Sequence, residues 1–342
     1  PALIVVPHGN SREKNAAMRA LGAQLVEHGA DFQASREHAM ALAQAGELAR
    51  GATAYVTLEP CAHESARGPN CTDSLAAAGV ARVVVALTDP DPRTNGQGIA
   101  RLKAAGIAVE AGLMAAEAAR AMAGWLMQQQ QWRPFVTLKL ATSLDGCVAR
   151  ADGESKWITG DTARSHGHLE RARSNMILVG RGTFEADLPR LDVRLPGMES
   201  RSPARALLSK GATPEGWLGL TSPEQISDLA HVHYLMVEGG AQSAGAFLKA
   251  GLVDRLMLYR APIVIGAGKA CLADIGLGAL AGLAHTPTAL AAELQASLVK
   301  ALPGALQLDV GGGRRVVLLI IGDVGQPEHV NGAGEDQGER GK

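Results

Sequence analysis

The run Thr53-Ala54-Tyr55-Val56-Thr57-Leu58-Glu59-Pro60-Cys61 opens with six β-prone residues and stops at a proline. It reads as a buried strand that delivers a thiol to a turn. Upstream, Ala39 to Arg50 reads as a short Ala-rich helix ending at Gly51, and residues 16–28 are helix-compatible. Downstream, Cys71 precedes a helix over 72–78 that Gly79 closes. A strand over 82–87, a helix over 99–105 and a strand over 107–110 follow. Strands alternating with short helices at this spacing indicate an α/β unit with a largely parallel sheet.

Gln128-Gln129-Gln130-Gln131-Trp132-Arg133-Pro134 is polar, ends in proline and marks the expected domain boundary. A second α/β series lies beyond it: strand 135–141, helix 161–173, strand 176–180, strand 234–237, helix 241–250 and strand 254–260. From about Gly325 the chain turns polar and rich in Gly and Glu, the composition of a disordered tail. The expected partition is 1–132, 134–323 and a tail at 324–342. Two domains also suit 342 residues, because single cores stop growing at roughly 250–300.

Composition narrows the function classes. The 33 basic and 34 acidic side chains nearly cancel, and aromatic content is 3%. A nucleic-acid binder with a basic stripe or a stacking platform is therefore not expected. No stretch approaches the ~20 apolar residues of a membrane span. The apolar opening Pro1–Pro7 is too short and unflanked by basic residues for a secretory leader. Four cysteines in a chain of this length are no disulfide scaffold, so the expectation is a cytoplasmic protein whose clustered thiols bind metal.

Two constellations carry chemistry. In the first, His38 starts a helix, Cys61 follows the strand and Cys71 opens the next helix. One His and two Cys around Zn²⁺ leave a fourth position for water, the open geometry of a catalytic zinc. The bland alternative is two buried thiols and a surface histidine; the Glu59-Pro60-Cys61 turn favours metal. His63 is an alternative ligand, read instead as a polar residue at the substrate mouth. In the second constellation, a strand enters the turn Ser143-Leu144-Asp145-Gly146, whose glycine would admit another backbone or a ligand. Gly153-Glu154-Ser155-Lys156-Trp157-Ile158-Thr159-Gly160 caps a helix from Asp161. Gly180-Arg181-Gly182-Thr183 leads to Asp187-Leu188-Pro189-Arg190-Leu191-Asp192-Val193-Arg194. In Val237-Glu238-Gly239-Gly240-Ala241-Gln242 a strand gives way to a helix through two glycines, the geometry in which backbone N–H groups cradle phosphate.

Thr53 to His63, followed by Cys71-Thr72-Asp73, resembles the bifunctional riboflavin-biosynthesis deaminase–reductase family. So does Val83-Val84-Val85-Ala86 leading to Asp89-Pro90-Asp91-Pro92 and Gly96-Gln97-Gly98. The segments of the second constellation resemble that family's reductase domain in order, as does Gly251-Leu252-Val253-Asp254. The resemblance covers roughly residues 38–270. It implies a cytidine-deaminase-like α/β/α domain, then a dihydrofolate-reductase-like α/β domain. The first would deaminate a phosphorylated pyrimidine with Zn²⁺ on His38, Cys61 and Cys71. The second would reduce the ribosyl group with NADPH, leaving NADP⁺. The resemblance puts cofactor contacts at Ala141, Trp157, Thr183, Asp187, Gly240, Ala241 and Gln242. It puts substrate contacts at Ser155, Arg171, Leu191, Arg194 and Glu238. This domain pair often associates, so a homo-oligomer is an open expectation.

The departures are specific. Met40 stands where the family has the Glu that shuttles the proton, and a thioether cannot carry one. The loop between Cys61 and Cys71 holds nine residues, one more than expected. The family's Pro-Asn-Pro segment upstream of His38 is missing. Arg205-Ala206-Leu207-Leu208-Ser209-Lys210 lacks an expected aspartate, and 210–233 is compressed enough to imply a lost sheet element or cofactor contact. After about residue 310 the family's closing strands are not recognisable. The bifunctional enzyme leads, with a reductase-only enzyme or a degenerate non-catalytic relative as alternatives and a nucleic-acid deaminase last.

Overall fold

The computed structural model describes residues 49–63 and 69–275, together with four strands at 3–6, 24–27, 305–309 and 315–322. His38, Met40 and the expected tail at 324–342 lie outside the described residues. The chain divides into two compact units, Pro1–Gln131 and Trp132–Lys342. No helix among the described residues is long and apolar enough to cross a membrane.

In the first unit, β1 (Leu3–Val6) pairs in parallel with β2 (Gln24–Glu27). That corrects the helical reading of 16–28 where the structure describes it, since ladder pairing overrides local propensity. A second sheet carries β3 (Thr53–Leu58), β4 (Arg82–Leu87) and β5 (Ala108–Ala111), all parallel, with β4 in the middle. Val83, Val84 and Val85 are all buried, as expected of a parallel strand covered on both faces. The expected burial of β3 is only half met: Tyr55 is 62% exposed.

Among the described residues this unit also has helices α1 (Cys71–Ala77), α2 (Gln97–Ala104), α3 (Ala115–Ala121) and α4 (Ala123–Gln131). Asn70 starts α1 by accepting from the Asp73 amide at 2.8 Å, an N-cap that satisfies an orphan donor. Gly79, at φ +70°, follows its end, where only glycine is unstrained. The glutamine run 128–131 forms the last turn of α4.

The second unit is built on an eight-stranded sheet. Its strands are β6 (Phe135–Thr142), β8 (Met176–Gly180), β9 (Ala204–Leu208), β10 (Leu218–Leu220), β11 (Tyr234–Glu238), β12 (Arg255–Arg260), β14 (Ala305–Asp309) and β15 (Arg315–Gly322). The order is β10-β9-β8-β11-β6-β12-β15-β14, parallel throughout except for β14 against β15. Strands β7 (Cys147–Ala149) and β13 (Lys269–Ala270) form a separate antiparallel pair. Segment 210–233 keeps one sheet element, β10, and the chain beyond 310, where the sequence shows no recognisable closing strand, supplies β15, which extends the sheet beside β12. Leu218-Gly219-Leu220 is too short for periodicity to reveal it, so its pairing with β9 decides.

Side-chain alternation sorts this sheet into two faces. Val136, Leu138, Leu140, Leu178, Leu235 and Val237 pack with Ala244 and Phe247 of α7 (Ala241–Lys249). Burying each such side chain fully is worth about 1.5–3 kcal/mol. The opposite face carries Thr137, Lys139, Ala141, Met236, Glu238, Met257 and Tyr259. Helix α5 (Asp161–Ala172) covers part of it, with Ala163 against Met257 and Tyr259. The short α6 (Arg181–Asp187) follows β8 directly.

One ion pair pins the start of β6. Arg133 donates Nη1 and Nη2 to the Asp254 carboxylate at 2.6 and 2.8 Å, and the Val136 amide donates to the same carboxylate at 2.8 Å. Both side chains are mostly buried. Asp254→Ala strips three donors of their acceptor, with an expected cost of about 3 kcal/mol. Denaturant titration followed by tryptophan fluorescence measures it, and an unchanged midpoint would contradict this role.

Candidate functional site

Because the central strands are parallel, β6, β8, β9, β11 and β12 all end on one edge of the sheet. Ligands of open α/β sheets bind outside such carboxyl ends. Three turns leave this edge: Ser143–Gly146 after β6, Gly180–Thr183 after β8 and Glu238–Gln242 after β11.

The last two turns interlock. Gly240 N–H donates to Thr183 Oγ1 at 2.9 Å. A Cβ on Gly180 would lie 2.1 Å from Ser243 Oγ, so a larger residue there would force the Ser243 hydroxyl to turn away where the end of β8 meets α7. Gly240 is the N-cap of α7 and no side chain caps that helix, leaving its first-turn amides open toward an anion. In the β6 turn another backbone does meet Gly146, whose carbonyl accepts from the Cys271 amide at 3.0 Å. Its φ is +84° and nothing lies within 4 Å of a Cβ built there, so the left-handed backbone is a further reason for glycine. Asp145 fixes this turn to the chain after β12, accepting from Ser143 Oγ and from the Ile265 and Gly266 amides. Those bonds hold its carboxyl down at about 2.

On the polar face, Glu238 at the end of β11 is the centre. Arg171 of α5 donates Nε and Nη2 to its two oxygens at 2.7 and 2.9 Å. Lys139, its register partner on β6, lies 3.7 Å away. Burial alone would raise the Glu238 carboxyl; Lys139 and the Arg171 fork outweigh it and hold the group at about 2. Glu238 is thus an ionised, acceptor-only group. Arg171 Nη1 also donates to the Asp192 carbonyl at 3.2 Å, joining the 187–194 loop to the sheet. Beneath Lys139, the Tyr259 ring centroid lies 5.6 Å from Nζ. The Tyr259 hydroxyl meets His166 Nδ1 at 2.7 Å, and burial followed by Glu170 and Glu238 pushes it above the ordinary phenol range.

The expected contact residues distribute around this centre. Thr183, Gly240, Ala241 and Gln242 lie in the interlocked turns, and Ala141 is half-buried at the end of β6. Trp157 is exposed with Arg164 stacked 4.8 Å from its ring. Asp187 is exposed, with Lys156 Nζ at 3.9 Å. Ser155 is half-buried in the same loop. Arg194 is exposed, 3.7 Å from Asp192. Leu191 differs: its side chain is buried against Ile177, Val179 and Met236 at a left-handed φ of +56°. Lys139, Tyr259, His166 and His168 escaped the sequence reading. Period-two alternation in Val136-Thr137-Leu138-Lys139 could have put Lys139 on the polar face beside Glu238.

In the first unit, Cys61 and Cys71 form no disulfide with each other, and their Sγ atoms lie 3.1 Å apart. The Cys71 amide donates to Cys61 Sγ at 3.2 Å. Thr72 Oγ1 donates to the Cys61 carbonyl at 2.9 Å, which fixes the turn. Among the described residues no third His, Cys, Asp or Glu completes a metal-binding group. Glu59 is buried and engaged: it accepts from the Asp89, Gly96 and Ile99 amides at 3.2, 2.9 and 2.9 Å. His63 Nδ1 meets Thr94 Oγ1 at 3.1 Å.

Comparison with known proteins agrees with this geometry. The family model "RibD C-terminal domain" matches residues 134–225 and 219–290. The riboflavin biosynthesis protein RibD of Escherichia coli strain K12 is 39% identical over 293 residues, covering 71% of this chain and 80% of that protein. Its namesake in Mycobacterium tuberculosis strain H37Rv is 38% identical over 271 residues, covering 74% and 79%. Among solved structures, Acinetobacter baumannii RibD (form 2) superposes with a TM-score of 0.62 at 36% identity, covering 70% of this chain and 77% of that one. A Thermotoga maritima diaminohydroxyphosphoribosylaminopyrimidine deaminase/5-amino-6-(5-phosphoribosylamino)uracil reductase gives 0.60 at 28% identity, covering 73% and 78%. The α/β architecture is that of these proteins, with a dihydrofolate-reductase-like second unit. On sequence, fold and the arrangement of its turns, the chain belongs to the RibD family of riboflavin biosynthesis proteins.

Proposed function

We propose that this chain is a bifunctional enzyme of riboflavin biosynthesis. It deaminates the phosphoribosylaminopyrimidine by hydrolysis and then reduces the ribosyl group to ribityl with NADPH. The observation that carries the reductase reading is the ionised Glu238, held by Arg171 and Lys139 at the mouth of the glycine turn that opens α7. The reductase occupies 134–323 and the deaminase-like domain 1–132, with a tail at 324–342. The near-balance of charge favours a small-molecule substrate over nucleic acid and a cytoplasmic enzyme free of membranes. Self-association into a homo-oligomer is compatible with this reading.

NADPH fits the residues present. The open amides of α7 at Gly240–Gln242 and the Thr183 hydroxyl offer donors to its phosphates, with Ala141, Trp157 and Asp187 around the rest. When bound, NADPH supplies the hydride. The chain's own work is orientation. Glu238 accepts from ribose hydroxyls, Arg171 keeps Glu238 aimed, and Arg194 with Ser155 takes the phosphate beside the Leu191 backbone. Zinc fits the two cysteines: ligated at about 2.3 Å, tetrahedral thiolates sit about 3.8 Å apart, a small opening from the present separation. His38 would be the third ligand and Zn²⁺ would supply an activated water.

Met40 favours a second reading, in which the deaminase step is impaired and the reductase works on supplied deaminated pyrimidine. The deciding assay offers each pyrimidine with NADPH, reads deamination and NADPH consumption separately, and measures bound zinc. Both readings expect NADPH consumption with the deaminated pyrimidine; the bifunctional reading also expects deamination, and the second reading expects little of it. Met40→Glu is expected to restore deamination by about 10²-fold or more. Near-normal deamination by the unaltered chain would overturn the impaired step, and absent NADPH binding would overturn the reductase.

Glu238 also sets an acid limit. Its carboxyl titrates near 2 in the fold and near about 4.3 in an unfolded chain. The stabilisation is complete above the unfolded value and disappears as pH falls toward the folded one. Glu238→Gln is therefore expected to lower stability at neutral pH and to flatten its decline between about pH 4 and 2. Denaturation midpoints across that range check this; parallel curves would contradict it.

A further inference from the structure

His168 lies on α5 one turn before Arg171, on the side facing Arg194. Its Nδ1 is 3.1 Å from the Asp192 carbonyl and its Nε2 is 3.4 Å from Arg194 Nε. A carbonyl only accepts and a guanidinium only donates. The Arg194 amide also lies 3.3 Å from Nδ1, but hydrogen on Nδ1 with a lone pair on Nε2 satisfies both the carbonyl and the guanidinium, whereas the other tautomer would satisfy that amide alone. The charged groups around it are Arg171 on its own helix, Asp192 and Arg194 on the loop, and Glu238 on β11. Burial, then Arg171 and Arg194, push its pKa below the ordinary histidine value.

This neighbourhood is short of free positive charge for an anion. Arg171 is already engaged twice by Glu238 and once by the Asp192 carbonyl. Asp192 is paired with Arg190 at 2.6 Å and lies 3.7 Å from Arg194. Arg194 alone is exposed with loose partners. A phosphate dianion drawn to Arg194 would compete for the Nε–H that Nε2 now accepts and reverse the local field at that nitrogen.

We infer that His168 is a third phosphate-binding side chain of the reductase site, one that takes up a proton as the sugar phosphate arrives. The proton comes from solvent and lands on Nε2, while Nδ1–H stays on the Asp192 carbonyl. The resulting imidazolium donates to a phosphate oxygen beside Arg194. Phosphate binding is therefore linked to pH through this histidine, with the protonated form favoured on the acid side of neutrality. The inference rests on the reading of Arg194 as a phosphate contact.

The test is ribose 5-phosphate binding to the full chain, by calorimetry at pH 6 and pH 8. The proteins are the unaltered chain, His168→Gln and Arg194→Ala. Glutamine keeps hydrogen-bonding capacity but cannot be protonated. Dividing each variant's Kd by that of the unaltered chain at the same pH cancels the ligand's own ionisation. For His168→Gln the expected ratio is about tenfold at pH 6 and under about twofold at pH 8. For Arg194→Ala a loss is expected at both. A weakened Arg194→Ala with a flat His168→Gln ratio overturns the role of His168 and leaves the phosphate site standing. No loss in Arg194→Ala, or no binding by the unaltered chain, overturns the phosphate site itself. A merely structural His168 would weaken binding equally at both pH values.

Discussion

The two-point ion pair between Arg171 and Glu238 is the interaction on which the second unit's polar face depends. A buried charge costs several kcal/mol to desolvate, and removing either partner would leave the other without its two-point contact. Together they tie α5 to the end of β11, and Arg171 reaches on to the Asp192 carbonyl. That carbonyl is also the acceptor that sets the His168 tautomer. Lys139 adds the second cation that keeps Glu238 ionised despite its burial. Such pairs add little net stability over apolar packing; here the gain is a carboxylate held in one position beside the glycine turn.

The first unit shows the opposite use of a carboxylate. Glu59 stands next to the cysteine turn and resembles a candidate proton carrier by position alone. It is instead fully engaged by three backbone amides from 89–99. A Cβ on Gly98 would lie 2.1 Å from the Pro60 carbonyl, so α2 is packed tightly over the same turn. Glu59 is therefore a staple that shapes the turn carrying Cys61.

Much of the fold was legible because period-two and period-3.6 patterns were strong. Met176–Gly180 and the strand at Tyr234–Glu238 were readable from their apolar runs, and the Gly239-Gly240 turn from its glycines. What escaped lacked a local signal. Strands 24–27 and 218–220 are short segments that owe their state to a neighbouring strand. The burial of the Leu191 side chain and its left-handed backbone carry no signal in the sequence, and neither does the positive φ of Gly146. The Arg171–Glu238 pair spans 67 residues, so no periodicity could announce it, although both members were singled out separately. His168 stayed hidden because its partners are a backbone carbonyl and an exposed arginine.

The central claim is that the carboxyl edge of the second sheet holds sugar phosphate and nicotinamide together around Glu238. A crystal structure of the full chain soaked with ribose 5-phosphate and NADP⁺ tests it most directly. The account predicts the cofactor phosphates at the Gly240–Gln242 amides, the sugar phosphate at Arg194 and a ribose hydroxyl on Glu238. Sugar phosphate bound elsewhere, with the Arg171–Glu238 pair untouched by either ligand, would contradict it.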